Sequence, residues 1–311
     1  MRLVRWLALG ASMLVLLSAC STGGGSNNGS AGGGGNGTTI KIGSDGFDEA
    51  RVMAEVYAQA LEAQGFKVDR AGIGLGTRAV TAAALESGQI DMKPEYIGSA
   101  LAFYKSTPTG DTQKNREMLQ QILASKAGGI TVLNPTPAVD TNAFVVRKDT
   151  ADQYKLAKMS DVAPVQDNLK WGLANDCPTN PICAAALKSA YGLQPKQVTL
   201  LEACSTPMAD ALKNKTIDVA ELCSTQPDIV VNGWVVLEDD KHTQPADNIA
   251  PIIRNDTLGK LDKAKFEKTL NDVSAKIDTP TLAELYKQVA VDKKDTAEVA
   301  KAWLKANGFV Q

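Results

Sequence analysis

The chain of 311 residues carries one histidine, His242, and that sets a limit on its chemistry. Centres built from several histidines are excluded, which removes histidine-rich zinc and iron sites. Serine catalysis would need a histidine partner and, in the common α/β form, a Gly-x-Ser-x-Gly elbow. No such elbow occurs, and His242 lies among charged and turn-forming residues. The acidic run Glu238-Asp239-Asp240 lacks the alternating oxygen ligands and the glycine of a calcium loop, so it reads as a solvated turn. The run from Gly72 to Arg78, GIGLGTR, has only the outline of a dinucleotide fingerprint. Thr77 is displaced from the glycine pattern, and a close strand-to-helix turn is the expectation. No cofactor and no metal are expected.

Five cysteines remain to be explained, and the first belongs to the N-terminus. Arg2 and Arg5 precede an apolar run from Leu7 to Leu17, too short to span a bilayer as a mature helix. That pattern is a secretory signal peptide, expected over residues 1–19. Leu17-Ser18-Ala19-Cys20 resembles a bacterial lipobox, which implies cleavage before Cys20 and lipidation of its thiol. Nine of the seventeen residues 21–37 are glycine. Such a segment orders at high entropic cost and buries little, so residues 20–37 read as a lipidated cysteine and flexible tether, with a reach of roughly 20–25 Å. An exported protein with four further cysteines points to two disulfides, for which three pairings exist. Cys177–Cys183 with Cys204–Cys223 is the expected one. The first pair encloses the turn-rich Pro-Thr-Asn-Pro-Ile, and the second would join the ends of two strand-like runs. A four-thiolate zinc site would need shorter paired spacings.

Apolar residues make up 44% of the chain and charged ones 22%, enough for a sizeable core. Net charge is −2, and loss of Arg2 and Arg5 with the leader makes it −4. A nucleic-acid partner, which calls for a basic surface, is therefore not expected. No later stretch has the uninterrupted apolar length of a membrane helix.

The elements that would position chemistry alternate along the chain. Strand patterns fall at 39–43, 66–74, 89–94, 129–135 and 142–148, with helical spacing over 47–64, 77–87, 97–105 and 112–126. The second half repeats the alternation: strands at 170–174, 198–203, 218–222, 234–239 and 249–255, helices at 180–191 and 206–213, then a helical region over 261–307. This is an α/β grammar with mostly parallel sheets, arranged as two lobes with a cleft. Ligands of such sheets sit beyond the carboxyl ends of strands. That places Ser44, Asp45 and Phe47 after the first strand, Arg78 after the second, Tyr96 and Ser99 after the third, Asn142 near the lobe crossing, and Thr225 and Gln226 after a strand of the second lobe. Ser44 and Asp45 could cap the first helix or offer nearby N–H groups to an anion. Arg78 could pair a carboxylate in a bidentate fork. Trp234 reads as core.

The segment LGTRAVTAAALESGQIDMKPEYIGSAL, with DTNAFVV, DCPTNPIC and VVLEDDKHTQPADNIAPIIRND, resembles the osmoprotectant-type substrate-binding proteins of ABC importers. The likeness spans about residues 39–311. It implies a bilobal periplasmic-binding-protein fold, two α/β lobes joined by two crossover segments. Lobe 1 would be 39–142 plus 250–311, and lobe 2 143–249. It also implies an ABC permease and its ATPase as partners, a small-molecule solute such as glycine betaine, choline or carnitine, and a monomeric, lipid-anchored receptor outside the cytoplasm. A ligand-sensing surface lipoprotein of the same fold, without transport, is the second reading, and a secreted enzyme the third.

Many members of that family surround a quaternary ammonium with tyrosines, whose faces attract a cation that donates no hydrogen bond. Carried over position by position, Tyr96 matches. The next tyrosine falls on Asn142, a third on or beside Cys223, and a fourth on or near Asp247. The expectation is therefore a pocket for a polar solute with hydrogen-bonding groups, such as a zwitterion or polyol, rather than a bare trimethylammonium.

Overall fold

Alternating apolar residues open the folded body as β1 (Thr39–Asp45), whose Ile40 and Ile42 are wholly buried. The computed structural model describes residues 37–311 other than 176, 179, 202 and 203. The leader 1–19, Cys20 and the tether up to residue 36 lie outside the described residues. After β1 come α1 (Asp48–Ala63), β2 (Lys67–Gly76), α2 (Arg78–Ser87), β3 (Met92–Tyr96), α3 (Ile97–Phe103), α4 (Thr112–Ala124) and β4 (Ile130–Val132). The chain then enters β5 (Asn142–Val146), α5 (Lys148–Tyr154), a 3₁₀ segment (Met159–Asn168), β6 (Lys170–Ala174), a π-helical turn (Pro181–Ala185), α6 (Ala186–Tyr191), β7 (Gln197–Leu201), α7 (Thr206–Lys213), β8 (Val219–Cys223), α8 (Pro227–Asn232) and β9 (Val235–Val236). It ends with β10 (Ile249–Arg254), α9 (Asn255–Leu258), α10 (Lys263–Ser274), α11 (Thr279–Ala290) and α12 (Thr296–Ala306).

Two five-stranded sheets result, in the orders β2-β1-β3-β10-β4 and β7-β6-β8-β5-β9. Each is mixed rather than mostly parallel. β1 runs parallel to β2 and β3, while β10 is antiparallel to β3 and β4. β6 runs parallel to β7 and β8, while β5 is antiparallel to β8 and β9. Alternation alone overstated the parallel share for a physical reason. A strand delivered by a helical crossover within one sheet is held parallel. β5 and β10 each arrive from the other sheet, so that constraint does not act on them.

The apolar cores are separate. Helix α1 packs its buried face, Met53, Val56, Tyr57 and Leu61, with Ile40 and Ile42, and the C-terminal helices add Phe266, Leu270 and Leu304 to that cluster. A second cluster gathers Phe144, Trp171, Leu187 and Val219. Trp234 is half-buried against the group that contains Ala143, Met208 and Leu222. Side by side, the segments that link the sheets are stitched together. Val139 bridges Asn248, and the Asp140 amide donates to the Asp247 carbonyl at 3.1 Å. Ser224 Oγ donates to the Val139 carbonyl at 2.7 Å and accepts from the Thr141 amide at 3.1 Å.

Both expected disulfides are present, Cys177–Cys183 and Cys204–Cys223, each with Cα atoms 5.0 Å apart. The second does not join the ends of two neighbouring strands. β7 and β8 are not neighbours, because β6 lies between them, and β7 ends at Leu201. Cys204 reaches Cys223 from a turn beyond β7, with its own φ at +56° and its amide on the Glu221 carbonyl.

Candidate ligand-binding site

The Pro-Glu-Tyr-Ile-Gly-Ser stretch turns directly from β3 into α3, and this turn builds one wall. Tyr96 ends β3 and is buried, with its hydroxyl donating to Glu49 Oε1 at 2.7 Å. Its ring meets that of Phe47 at 5.5 Å between centroids. Phe47 precedes α1 and stays 43% exposed, whereas Glu49, in the first turn of α1, is 1% exposed. Gly98 and Ser99 donate their amides to Asp247 Oδ1 at 2.7 and 3.1 Å, and Ser99 Oγ donates to Oδ2 at 2.5 Å. Residue 98 must be glycine for this. A Cβ there would stand 2.9 Å from the Ala246 carbonyl and 3.2 Å from Asp247 Oδ1.

The opposite wall comes from the end of β8. Thr225 Oγ1 donates to Asp140 Oδ1 at 2.8 Å. Gln226 leads into α8 and donates Nε2 to Asp228 Oδ2 at 3.0 Å. Tyr286, on α11, completes the surround.

Two cavities open here. One, of about 300 Å³, is bordered by Ser99, Asp140, Asn142, Cys223, Gln244 and Asp247, among others. The second, of about 290 Å³, is lined by Phe47, Glu49, Asp140, Cys204, Cys223, Thr225, Gln226 and Tyr286. They adjoin through Asp140 and Cys223, and residues attached to both sheets line each. The size suits a small molecule. A further cavity of about 450 Å³ lies against β7 and is lined mainly by apolar residues such as Leu173, Leu187 and Val198, with Lys188 and Gln194 as its polar members.

Three carboxylates set the field. Burial pushes Glu49 up to about 8, with the Asp140 and Asp247 charges adding to the shift and the Tyr96 hydroxyl opposing it. Burial also raises Asp140 to about 6, against the lowering effect of the Thr225 hydroxyl. Asp247 is raised by burial despite its bonds from Ser99. Tyr286 rises to about 12 through burial and the nearby Glu49 charge. Among the described residues, Glu49 Oε2 and Gln226 Oε1 are buried acceptors with no hydrogen-bond partner. No lysine or arginine is among the described residues that line either cavity.

Of the residues singled out from sequence, Phe47, Ser99, Asn142, Thr225 and Gln226 border the cavities. Tyr96 stands behind, holding Glu49. Ser44, Asp45 and Arg78 are placed elsewhere. Ser44 and Asp45 belong to β1 rather than to the cap of α1. Ser44 Oγ accepts from the Gly74 amide at 2.8 Å. Asp45 Oδ1 takes Lys93 Nζ at 2.7 Å and Thr81 Oγ1 at 2.5 Å. Arg78 Nε donates to Glu95 Oε1 at 3.1 Å. These groups form an ion network, and none of the three is among the residues lining the two cavities. Sequence reasoning missed Glu49, Asp140, Gln244 and Tyr286. Glu49 had a signal, since it shares a helix face with Val52, Met53 and Val56. Tyr286 shares a stripe with Leu282 and Val289, which is indistinguishable from core.

Two α/β lobes with a polar and aromatic cavity at their junction have the architecture of a solute receptor. Residues 38–306 match the substrate binding domain of ABC-type glycine betaine transport systems, and the chain belongs to that family. It is 27% identical over 282 residues to the glycine betaine-binding protein YehZ of Escherichia coli K12, covering 88% of this chain and 92% of that one. The carnitine transport binding protein OpuCC of Listeria monocytogenes is 26% identical over 88% of both chains. The crystal structure of a glycine betaine/carnitine/choline ABC transporter protein aligns at a TM-score of 0.79 and 25% identity, covering 87% of this chain and 99% of that chain. Apo YehZ aligns at 0.78 and 26% identity, covering 88% and 100%. The protein is thus a substrate-binding protein of an ABC importer that works outside the cytoplasm. No helix of the described residues is long and apolar enough to cross a membrane.

Proposed function

We propose that this protein captures a small polar solute of the osmoprotectant and amine class in the two adjoining cavities and delivers it to an ABC permease driven by its ATPase. One observation carries the reading: Phe47 and Glu49 of one lobe face Thr225 and Gln226 of the other across the second cavity, so a ligand seated there touches both lobes. A ligand that touches both lobes favours the closed arrangement and is committed by hinge closure. The lobes divide as 39–142 with 250–311, and 143–249. Phe47, Ser99, Asn142, Thr225 and Gln226 contact the solute. Tyr96 positions Glu49, while Arg78, Asp45 and Ser44 steady the Glu95 and β1 backbone behind it.

Cleavage before Cys20 and lipidation of its thiol hold the receptor at the extracytoplasmic membrane face, on the tether of residues 21–37, as a monomer. The Leu-Ser-Ala-Cys sequence and the glycine-rich run support this. Cys20→Ser should move the protein from the membrane to the soluble fraction. The receptor reading is tested by a thermal-shift screen against betaines, amines, amino acids, polyamines and polyols. A true solute at 100 times its dissociation constant stabilises by about 2.7 kcal/mol. A screen in which no solute class shifts the transition overturns the reading.

A further inference from the structure

We propose that the solute carries N–H donors on a cationic group, a protonated amine or a guanidinium, and that Glu49, Asp140 and Gln226 hold that group. This rests on the receptor reading above and narrows its ligand class. Glu49 is 1% exposed; one oxygen takes the Tyr96 hydroxyl, and Oε2 has no partner, because the nearby Thr225 hydroxyl gives its proton to Asp140 Oδ1. Gln226 is 7% exposed; its amide nitrogen is spent on Asp228 and Oε1 has no partner. Both residues line the second cavity, with Asp140 between them and the first. Buried acceptors are normally paired: Gln226 Oε1 awaits a donor, and so does Glu49 Oε2 once a cation has displaced its proton.

The charge balance points the same way. Glu49, Asp140 and Asp247 cluster at the cavities with no basic side chain among the described lining residues. Arg78, which acts on Asp247, is already engaged by Glu95. A cation supplies the missing charge, and its N–H groups supply the missing donors. The amides of Gly98 and Ser99 are occupied by Asp247, so a ligand carboxylate finds no amide pair there. A trimethylammonium would bring the charge without the donors. It would leave two acceptors shut from water and unpaired, and among the lining residues it would meet only the rings of Phe47 and Tyr286. One such unpaired acceptor is enough for about a tenfold loss of affinity.

The test is calorimetric titration of the detergent-solubilised mature protein with ethanolamine and its N-methylated series up to choline, glycine and its series up to glycine betaine, and agmatine. The inference predicts affinity falling at least about tenfold between the unmethylated and quaternary ends of whichever series binds, or binding by agmatine alone. Glu49→Gln and, as a second variant that keeps every charge, Gln226→Leu should each weaken the N–H-bearing probe by about tenfold while the melting temperature shows a folded protein. Equal or tighter binding of choline or glycine betaine overturns the inference and leaves the receptor reading standing. Silence from every probe also overturns it, and the broader solute screen then decides the receptor reading separately.

Discussion

Glu49 sits where two preferences oppose each other. A carboxylate in the first turn of a helix is favoured by the exposed N–H groups and the helix dipole. Here that turn is buried beside Asp140 and Asp247, and the carboxyl is pushed up to about 8. The consequence for stability has a definite sign. The folded chain holds this proton more tightly than the unfolded chain, whose Glu titrates near 4.5. Stability is therefore lost as pH rises from about 4.5 towards about 8, and levels off above that. Glu49→Gln removes the penalty. At pH 8.5 it should raise the melting temperature of the ligand-free protein by several degrees, at about 2–4 °C per kcal/mol, and change it little at pH 5. Calorimetry at the two pH values checks this. Glu49 was missed in the sequence although the helical spacing of Val52, Met53 and Val56 extends to it, and nothing in that spacing showed the second and third carboxylates. Asp140 and Asp247 are brought to Glu49 by two crossings that are more than a hundred residues apart in the chain.

At the scale of elements, β1, α2 and β3 are locked by one buried lysine. Lys93 has no exposed surface and reaches Asp45 at 2.7 Å, Glu95 at 3.1 Å and Thr81 at 2.8 Å. Removing one partner of such a network leaves buried charge uncompensated. Lys93→Met should cost about 3–5 kcal/mol in urea unfolding. The Cys204–Cys223 bond does similar work opposite, closing 19 residues of sequence and forming part of the second cavity. Cys204→Ala with Cys223→Ala should lose about 3 kcal/mol and weaken solute binding together, as melting and titration would show. Most elements were legible from periodicity. α1 differs from its expected span by one residue at each end. The helical region after 261 divides into α10, α11 and α12, each begun by an aspartate, Asp262, Asp278 and Asp295, whose side chain caps the first turn. The apolar run 234–239 forms only the short β9, an edge strand whose Val236 is exposed. The Cys204–Cys223 pairing was legible, but strand direction was beyond reach, because it depends on which lobe a segment enters from.

For the whole molecule, the apolar cores are separate clusters, and the lobes meet at the stitched crossings Val139–Thr141 and Asp247–Asn248 and where α8 packs against α11. Motion between them can leave each core intact, so ligand charge bears on closure. Glu49 faces Asp140, Asp247, the Tyr96 and Thr225 hydroxyls and Tyr286, and without ligand it holds its proton at pH 7. A cation drawn into the cavities favours the ionised form of Glu49 and of Asp140, so binding must expel protons. The sign follows directly: cation affinity rises with pH through about 6 and about 8, and flattens beyond. A neutral polyol would show no such rise. Titrations of an N–H-bearing cation at pH 7 in two buffers of different ionisation enthalpy should differ in apparent heat by about one proton's worth. Glu49→Gln should remove most of that difference. Equal heats in the two buffers for the parent protein would mean that the acidic cluster does not discharge its protons to the ligand, and that closure is driven by contacts other than the cluster's charge.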